Sequence, residues 1–159
     1  MHLEEKVVSM LLKKGYTVTT VESCTGGLLA GRILNVSGAS EVYKEGHITY
    51  ANEAKEKILG VRHETLTQFG AVSRETAKEM VIGAARIAGA ETALSTTGIA
   101  GPGGGTPQKP VGLIYVGCLV KENVRVKELR LHWTREENRR DTVEKALQLL
   151  DEMLEAEEG

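Results

Sequence analysis

Leu3, Val7, Met10, Leu11 and Lys14 recur at helical spacing and stop at Gly15, a residue suited to the left-handed position just past a helix end. A first helix over about residues 2–14 is predicted. Thr17-Val18-Thr19-Thr20-Val21 is β-branched throughout and too short for a helix, so it predicts a strand. That strand runs through Glu22-Ser23-Cys24-Thr25-Gly26-Gly27 into an apolar helix from Leu28 to Leu34. His47-Ile48-Thr49-Tyr50 predicts a second strand, followed by a short helix that Asn52 caps and Gly60 ends. Ser73 caps a helix with Ala77, Met80, Val81, Ala84, Ile87 and Ala88 on one face, Glu75 near its positive end and Gly89 beyond it. Thr92 to Thr97 predicts a strand entering a glycine-rich loop, and Val111–Val120 with Val124–Leu131 predicts a hairpin turning at Lys121-Glu122-Asn123. Val143, Ala146, Leu147, Leu150, Met153 and Leu154 mark a closing helix from Arg135 or Glu136 to Ala156. The order helix, strand, helix, strand, two or three helices, three strands, helix is that of an α/β layered domain. Its adjacent last strands imply a mixed sheet.

The 159 residues suit one domain, expected over 1–159, with no internal repeat, low-complexity tract or linker. Hydrophobic residues at 41% and charged residues at 26% are ordinary for a globular chain and exclude disorder. The net charge of −2 comes from interleaved acids and bases, so the basic footprint of a nucleic-acid binder is missing. Aromatic residues are only 4%, which leaves little for a base-stacking platform and counts again against nucleic acid. No run approaches the roughly 20 apolar residues of a membrane span, and the N-terminus lacks signal-peptide character. A cytoplasmic protein with no membrane partner is expected. Cys24 and Cys118 form no CxxC, which fits reduced thiols. Glycine, at 18 residues, is enriched, and five of the 18 fall between Gly98 and Gly105.

Ser23 sits where a strand ends and Gly26-Gly27 turns the chain into a helix. Such a turn can hold a hydroxyl beside free N–H groups that stabilise an oxyanion. It resembles a nucleophile elbow only in outline, because Glu22 and Thr25 break G-x-S-x-G. Ser23 or Thr25 as a plain helix cap is the reading the local sequence favours. Cys24 is the rival nucleophile. His2, His47, His63 and His132 have no local aspartate that would suggest a triad, and no Cys/His spacing forms a metal site, so neither metal nor cofactor is expected. Lys55 would serve as base if burial lowered its pKa toward about 7–8, with Tyr50 relaying the proton. Taken alone, Lys55 reads as a solvated helix lysine and Tyr50 as a strand residue facing the core. The loop from Thr96 to Pro110 can turn N–H groups toward a phosphate, yet it is neither Walker A, since Pro110 follows Lys109, nor GxGxxG, since Thr106 holds the last position. Arg135, Arg139 and Arg140 offer phosphate forks or surface pairs with Glu136, Glu137 and Asp141.

Thr19-Thr20-Val21-Glu22-Ser23-Cys24-Thr25-Gly26-Gly27, Tyr50-Ala51-Asn52-Glu53-Ala54-Lys55, Gly70-Ala71-Val72-Ser73, Thr97 to Gly105 and Lys109-Pro110-Val111-Gly112 together resemble the CinA C-terminal domain family over essentially the whole chain. The resemblance implies a three-layer α/β/α fold, often dimeric, so a homodimer is expected. It also implies deamidation of nicotinamide mononucleotide to nicotinate mononucleotide and ammonia, a step of pyridine nucleotide recycling. By the same resemblance the catalytic serine falls on Ser23, the tyrosine and lysine on Tyr50 and Lys55, and the binding threonine on Thr97. Thr25, Gly26, Gly27 and Gly98 join the substrate site. The family's G-D-R-x-x-x-R segment aligns with Trp133 to Arg139, which brings in Arg135 and Arg139, although His132-Trp133-Thr134 replaces the usual glycine and aspartate. Many relatives carry a further N-terminal domain, so this chain is expected to be a stand-alone enzyme or a domain excised from a longer one. A phosphometabolite-binding domain or an interaction module competes with the enzyme, and the intact Ser23, Tyr50 and Lys55 favour the enzyme.

Overall fold

The helices begin and end largely where capping chemistry places them. The computed structural model describes residues 1–157, with α1 (Leu3–Lys14), β1 (Val18–Glu22), α2 (Leu28–Leu34), β2 (Tyr43–Ile48), α3 (Asn52–Leu59), α4 (His63–Phe69), α5 (Arg74–Ala88), β3 (Thr92–Gly98), β4 (Leu113–Val120), β5 (Asn123–Arg130) and α6 (Arg135–Ala156). Gly15, Gly60 and Gly89 close α1, α3 and α5 in the left-handed conformation. The Ser73 hydroxyl accepts the Thr76 N–H at the start of α5, and the Thr134 hydroxyl accepts the Glu137 N–H at the start of α6.

Five strands form one sheet in the order β2-β1-β3-β4-β5. The first three are parallel, and β3, β4 and β5 are antiparallel, which is the mixed sheet the adjacent last strands require. Helices cover both faces. On one side Val7, Leu11, Leu29, Ile33, Leu147, Leu150 and Leu154 from α1, α2 and α6 pack on Leu94, Ile114 and Val116. On the other side Leu59, Met80, Val81 and Ala84 from α3 and α5 pack on Val21 and Ala93. The result is a three-layer α/β/α arrangement. No described helix is long and apolar enough to cross a membrane.

Strand alternation sorts neighbouring polar residues between the two faces. Glu22 and Thr96 point to the α2 side, while Ser95 and Thr97 point to the α5 side, where their hydroxyls donate to the carbonyls of Ala77 and Ala71. The chain leaves β1 through α2 to reach β2 on one side, then returns past β1 through α5 to β3 on the other. That reversal makes the carboxyl end of β1 a switch point, the position where open α/β sheets leave a crevice.

Three local expectations are corrected. The second strand covers Tyr43–Ile48 rather than His47–Tyr50, because β2 is a sheet edge whose Lys44, Glu45 and Gly46 face solvent and show no apolar alternation. Asn52 does not cap α3; the extended Ala51 holds that position with no side-chain bond, and Asn52 is the first helical residue. The β4 strand begins at Leu113, not Val111, because Gly112 turns at φ +92° under the Leu131 carbonyl. The short α4 fills the optional helix slot before α5.

Candidate active site

The carboxyl ends of β1 and β3 open into a cavity of about 290 Å³ lined by Ser23, Cys24, Tyr50, Lys55, Ala71, Val72, Arg135 and the loop from Thr97 to Gly104. It approaches the size range of small-ligand sites. No histidine lines it among the described residues.

Ser23 follows β1 directly. Its N–H donates to the Thr96 carbonyl at 3.0 Å, so the sheet ladder itself sets its position. Gly26 (φ +55°) and Gly27 (φ +105°) then turn the chain sharply into α2, a conformation that a side chain at these positions would strain. The turn is closed by the Gly26 N–H on the Ser23 carbonyl at 3.2 Å.

Lys55 reaches the same point from α3. It is only 1% exposed, and its Nζ lies 3.1 Å from Ser23 Oγ, 2.7 Å from the Thr49 carbonyl and 3.2 Å from the Tyr50 carbonyl. None of these partners is charged. Burial therefore pulls the ammonium down to about 8 from its ordinary value near 10.4. The solvated-lysine reading is excluded by this burial. The reading of Tyr50 as a core-facing strand residue also gives way: it lies beyond β2, is 65% exposed, and its carbonyl, not its phenol, touches Lys55. Cys24, the rival nucleophile, is a poor one, because burial pushes its thiol up to about 11.

The remaining residues separate into those that face the cavity and those that support it. Thr97 and Gly98 line the cavity wall. Thr25 is fully buried, with its hydroxyl on Glu22 and Thr96, and Gly26 and Gly27 shape the turn without lining the cavity. Arg135 lines the cavity and donates to the Gly101 carbonyl at 2.9 Å. Arg139 does not line it; its guanidinium donates to the Cys24 and Thr25 carbonyls at 2.9 and 3.2 Å and braces the turn. Arg140 pairs with Glu136 at the surface.

Three further residues support the site in roles that the sequence reading did not assign to them. The Glu22 carboxylate, 1% exposed, accepts the first free N–H groups of α2, from Leu29 at 2.9 Å and Ala30 at 3.0 Å. Asn138, fully buried, donates to the Ala100 carbonyl at 3.0 Å and ties α6 to the glycine loop. Lys109 donates to the carbonyls of Phe69 and Val72, which joins the far end of that loop to the α4–α5 turn. Glu22 ends β1, too far ahead of Leu28 for the sequence to mark it as the cap of α2. Nothing local distinguishes Asn138, and the Lys109-Pro110-Val111-Gly112 motif marks Lys109 without indicating which carbonyls it holds.

The arrangement holds a buried amine of lowered basicity against a hydroxyl in a cavity that an arginine and a glycine-rich loop also line. Comparison with known proteins agrees with the motifs. The CinA C-terminal domain family model matches residues 1–154. A CinA-like protein of Kosmotoga olearia is 60% identical over 129 residues, which cover 81% of this chain and 31% of that protein. This chain spans about a third of the length of the curated relatives it matches. The crystal structure of the competence/damage inducible protein CihA from Agrobacterium tumefaciens has a TM-score of 0.91 at 45% identity, covering 93% of this chain and 91% of that one. A CinA superfamily protein from Klebsiella pneumoniae has a TM-score of 0.93 at 33% identity, covering 97% and 96%. The chain belongs to the CinA C-terminal domain family.

Proposed function

We propose that the protein is an amidohydrolase that deamidates nicotinamide mononucleotide, with Ser23 as nucleophile and Lys55 as general base. The observation that carries this reading is the 3.1 Å approach of a buried, weakly basic Lys55 Nζ to Ser23 Oγ. A neutral amine has two N–H donors and one lone pair. The carbonyls of Thr49 and Tyr50 accept the two donors, which leaves the lone pair for the serine proton. Tyr50 thus orients the base through its main-chain carbonyl, which accepts a hydrogen bond and relays no proton.

Ser23 Oγ attacks the carboxamide carbon as its proton passes to Lys55. The tetrahedral oxyanion forms beside Ser23, where Cys24, the residue after the nucleophile, lines the cavity and offers its main-chain N–H; the Gly26 N–H is spent on the Ser23 carbonyl and holds the turn. Lys55 returns the proton to the departing nitrogen and ammonia leaves. Water then hydrolyses the acyl ester to nicotinate mononucleotide and free Ser23. Arg135 and the glycine loop hold the phosphate and ribose, a task suited to a guanidinium fork and exposed backbone N–H groups.

The test is ammonia release and chromatographic product identity when purified protein meets nicotinamide mononucleotide, with Ser23→Ala alongside. Nicotinate mononucleotide formed by the wild type and absent with the variant is the expected result. A wild type without turnover, or turnover that survives Ser23→Ala, overturns the proposal.

A further inference from the structure

We infer that Glu22, Thr25 and Thr96 form an oriented hydrogen-bond chain that positions the Ser23 nucleophile, which makes Thr25 a positioning residue rather than a substrate contact. The inference rests on the amidase reading of Ser23.

The direction of every bond follows from counting protons. A carboxylate accepts only, and a threonine hydroxyl has one proton. Thr25 Oγ1 donates that proton to Glu22 Oε1. In its 2.8 Å contact with Thr96 Oγ1 it must therefore accept, so Thr96 is the donor there. Thr96 Oγ1, its proton committed, is left as an acceptor, and it takes the second arm of the Ser23 N–H at 3.3 Å beside the Thr96 carbonyl at 3.0 Å. Ser23 N–H, Thr96, Thr25 and Glu22 thus point one way, toward the carboxylate.

Burial makes the chain consequential. Thr25, Thr96 and Glu22 are each at most 1% exposed, so no water stands ready to replace a lost link. Glu22 also holds the Leu29 and Ala30 N–H groups of α2, and the chain thereby locks the start of that helix to the end of β3 across the serine. Neither Thr25 nor Thr96 lines the cavity, so a substrate does not reach them directly.

The experiment measures kcat and KM for nicotinamide mononucleotide with Thr25→Val, Thr96→Val and the double variant, with Ser23→Ala as the control. Each single variant is expected to lower kcat about tenfold with KM within about twofold, since the chain orients the attacking group and not the bound ligand. The double variant should fall no further than about twofold below the worse single variant, because one broken link already breaks the chain. Thr25→Ser and Thr96→Ser keep the hydroxyl, lose only a methyl group, and should recover most of what valine removes. If a valine variant does not fold, alanine at the same position removes the hydroxyl without adding bulk. Valine variants that keep wild-type kcat, losses that multiply in the double variant, or serine variants as slow as valine each overturn the chain while leaving the amidase in place. Turnover that survives Ser23→Ala overturns the amidase and the chain with it.

Discussion

Lys55 is held by two carbonyls and a hydroxyl and by no carboxylate, so its charge is disfavoured inside the protein and its pKa falls to about 8. Two outcomes follow at this scale. The proposed base must be neutral to act, so kcat/KM for nicotinamide mononucleotide should rise with pH, pass half-maximum near 8 and level off above it. A flat profile across that range would remove Lys55 from the proton transfer. Stability should carry the same signature. In the unfolded chain the lysine keeps its proton up to about pH 10.4, while the folded protein sheds it near 8. Between those values the unfolded state binds more protons, so the buried charge costs stability below pH 8 and the penalty is relieved as pH rises toward about 10.4. Urea unfolding should show the wild type gaining on Lys55→Met across that window. Equal pH responses of the two proteins would contradict it. The identities of Ser23, Lys55 and Thr97 were legible as candidates in the sequence, because strand ends and family motifs mark them. The roles of Glu22 and Asn138 were not, since a buried polar side chain bonded to main-chain atoms leaves no pattern of residue types.

At the scale of elements, α3 is placed by α5. Gly83 lies on α5 where an added Cβ would stand 2.0 Å from the Leu59 carbonyl at the end of α3. Gly83→Ala should therefore destabilise the protein by about 1–3 kcal/mol despite the better helix propensity of alanine, because a backbone carbonyl has no rotamer to escape into. It should also lower kcat by moving Lys55 away from Ser23. Urea midpoints and turnover read both effects, and a variant as stable and as fast as the wild type would dismiss this packing argument. Most element positions were readable, since Gly15, Gly60, Ser73 and Gly89 punctuate the chain by local conformational preference. The edge strand β2 was misplaced because its polar residues answer to solvent rather than to a core.

In the whole molecule, α6 lies in the same layer as α1 and α2 and brings its first turns over the carboxyl ends of the strands. There two of its three arginines part company: Arg135 faces the cavity and Arg139 clamps the carbonyls of the serine turn. Arg135→Ala should raise KM roughly tenfold with little change in kcat, as loss of a ligand contact does. Arg139→Ala should lower kcat roughly tenfold and reduce Tm, with the smaller change in KM. Steady-state kinetics on both variants decides the assignment, and the reverse pattern would exchange the two roles.

The sequence by itself determined where most helices stop, that the sheet is mixed, and that Ser23 ends a strand at a tight glycine turn. Each depends on the conformational limits of a few neighbouring residues and on hydrophobic period. The tertiary structure alone decided that Lys55, 32 residues from Ser23, is buried against it, that Tyr50 contributes a carbonyl, and that Arg139 and Lys109 hold main-chain oxygens. Those contacts join distant segments through backbone acceptors that every residue possesses, so only the packed chain selects which of them are used.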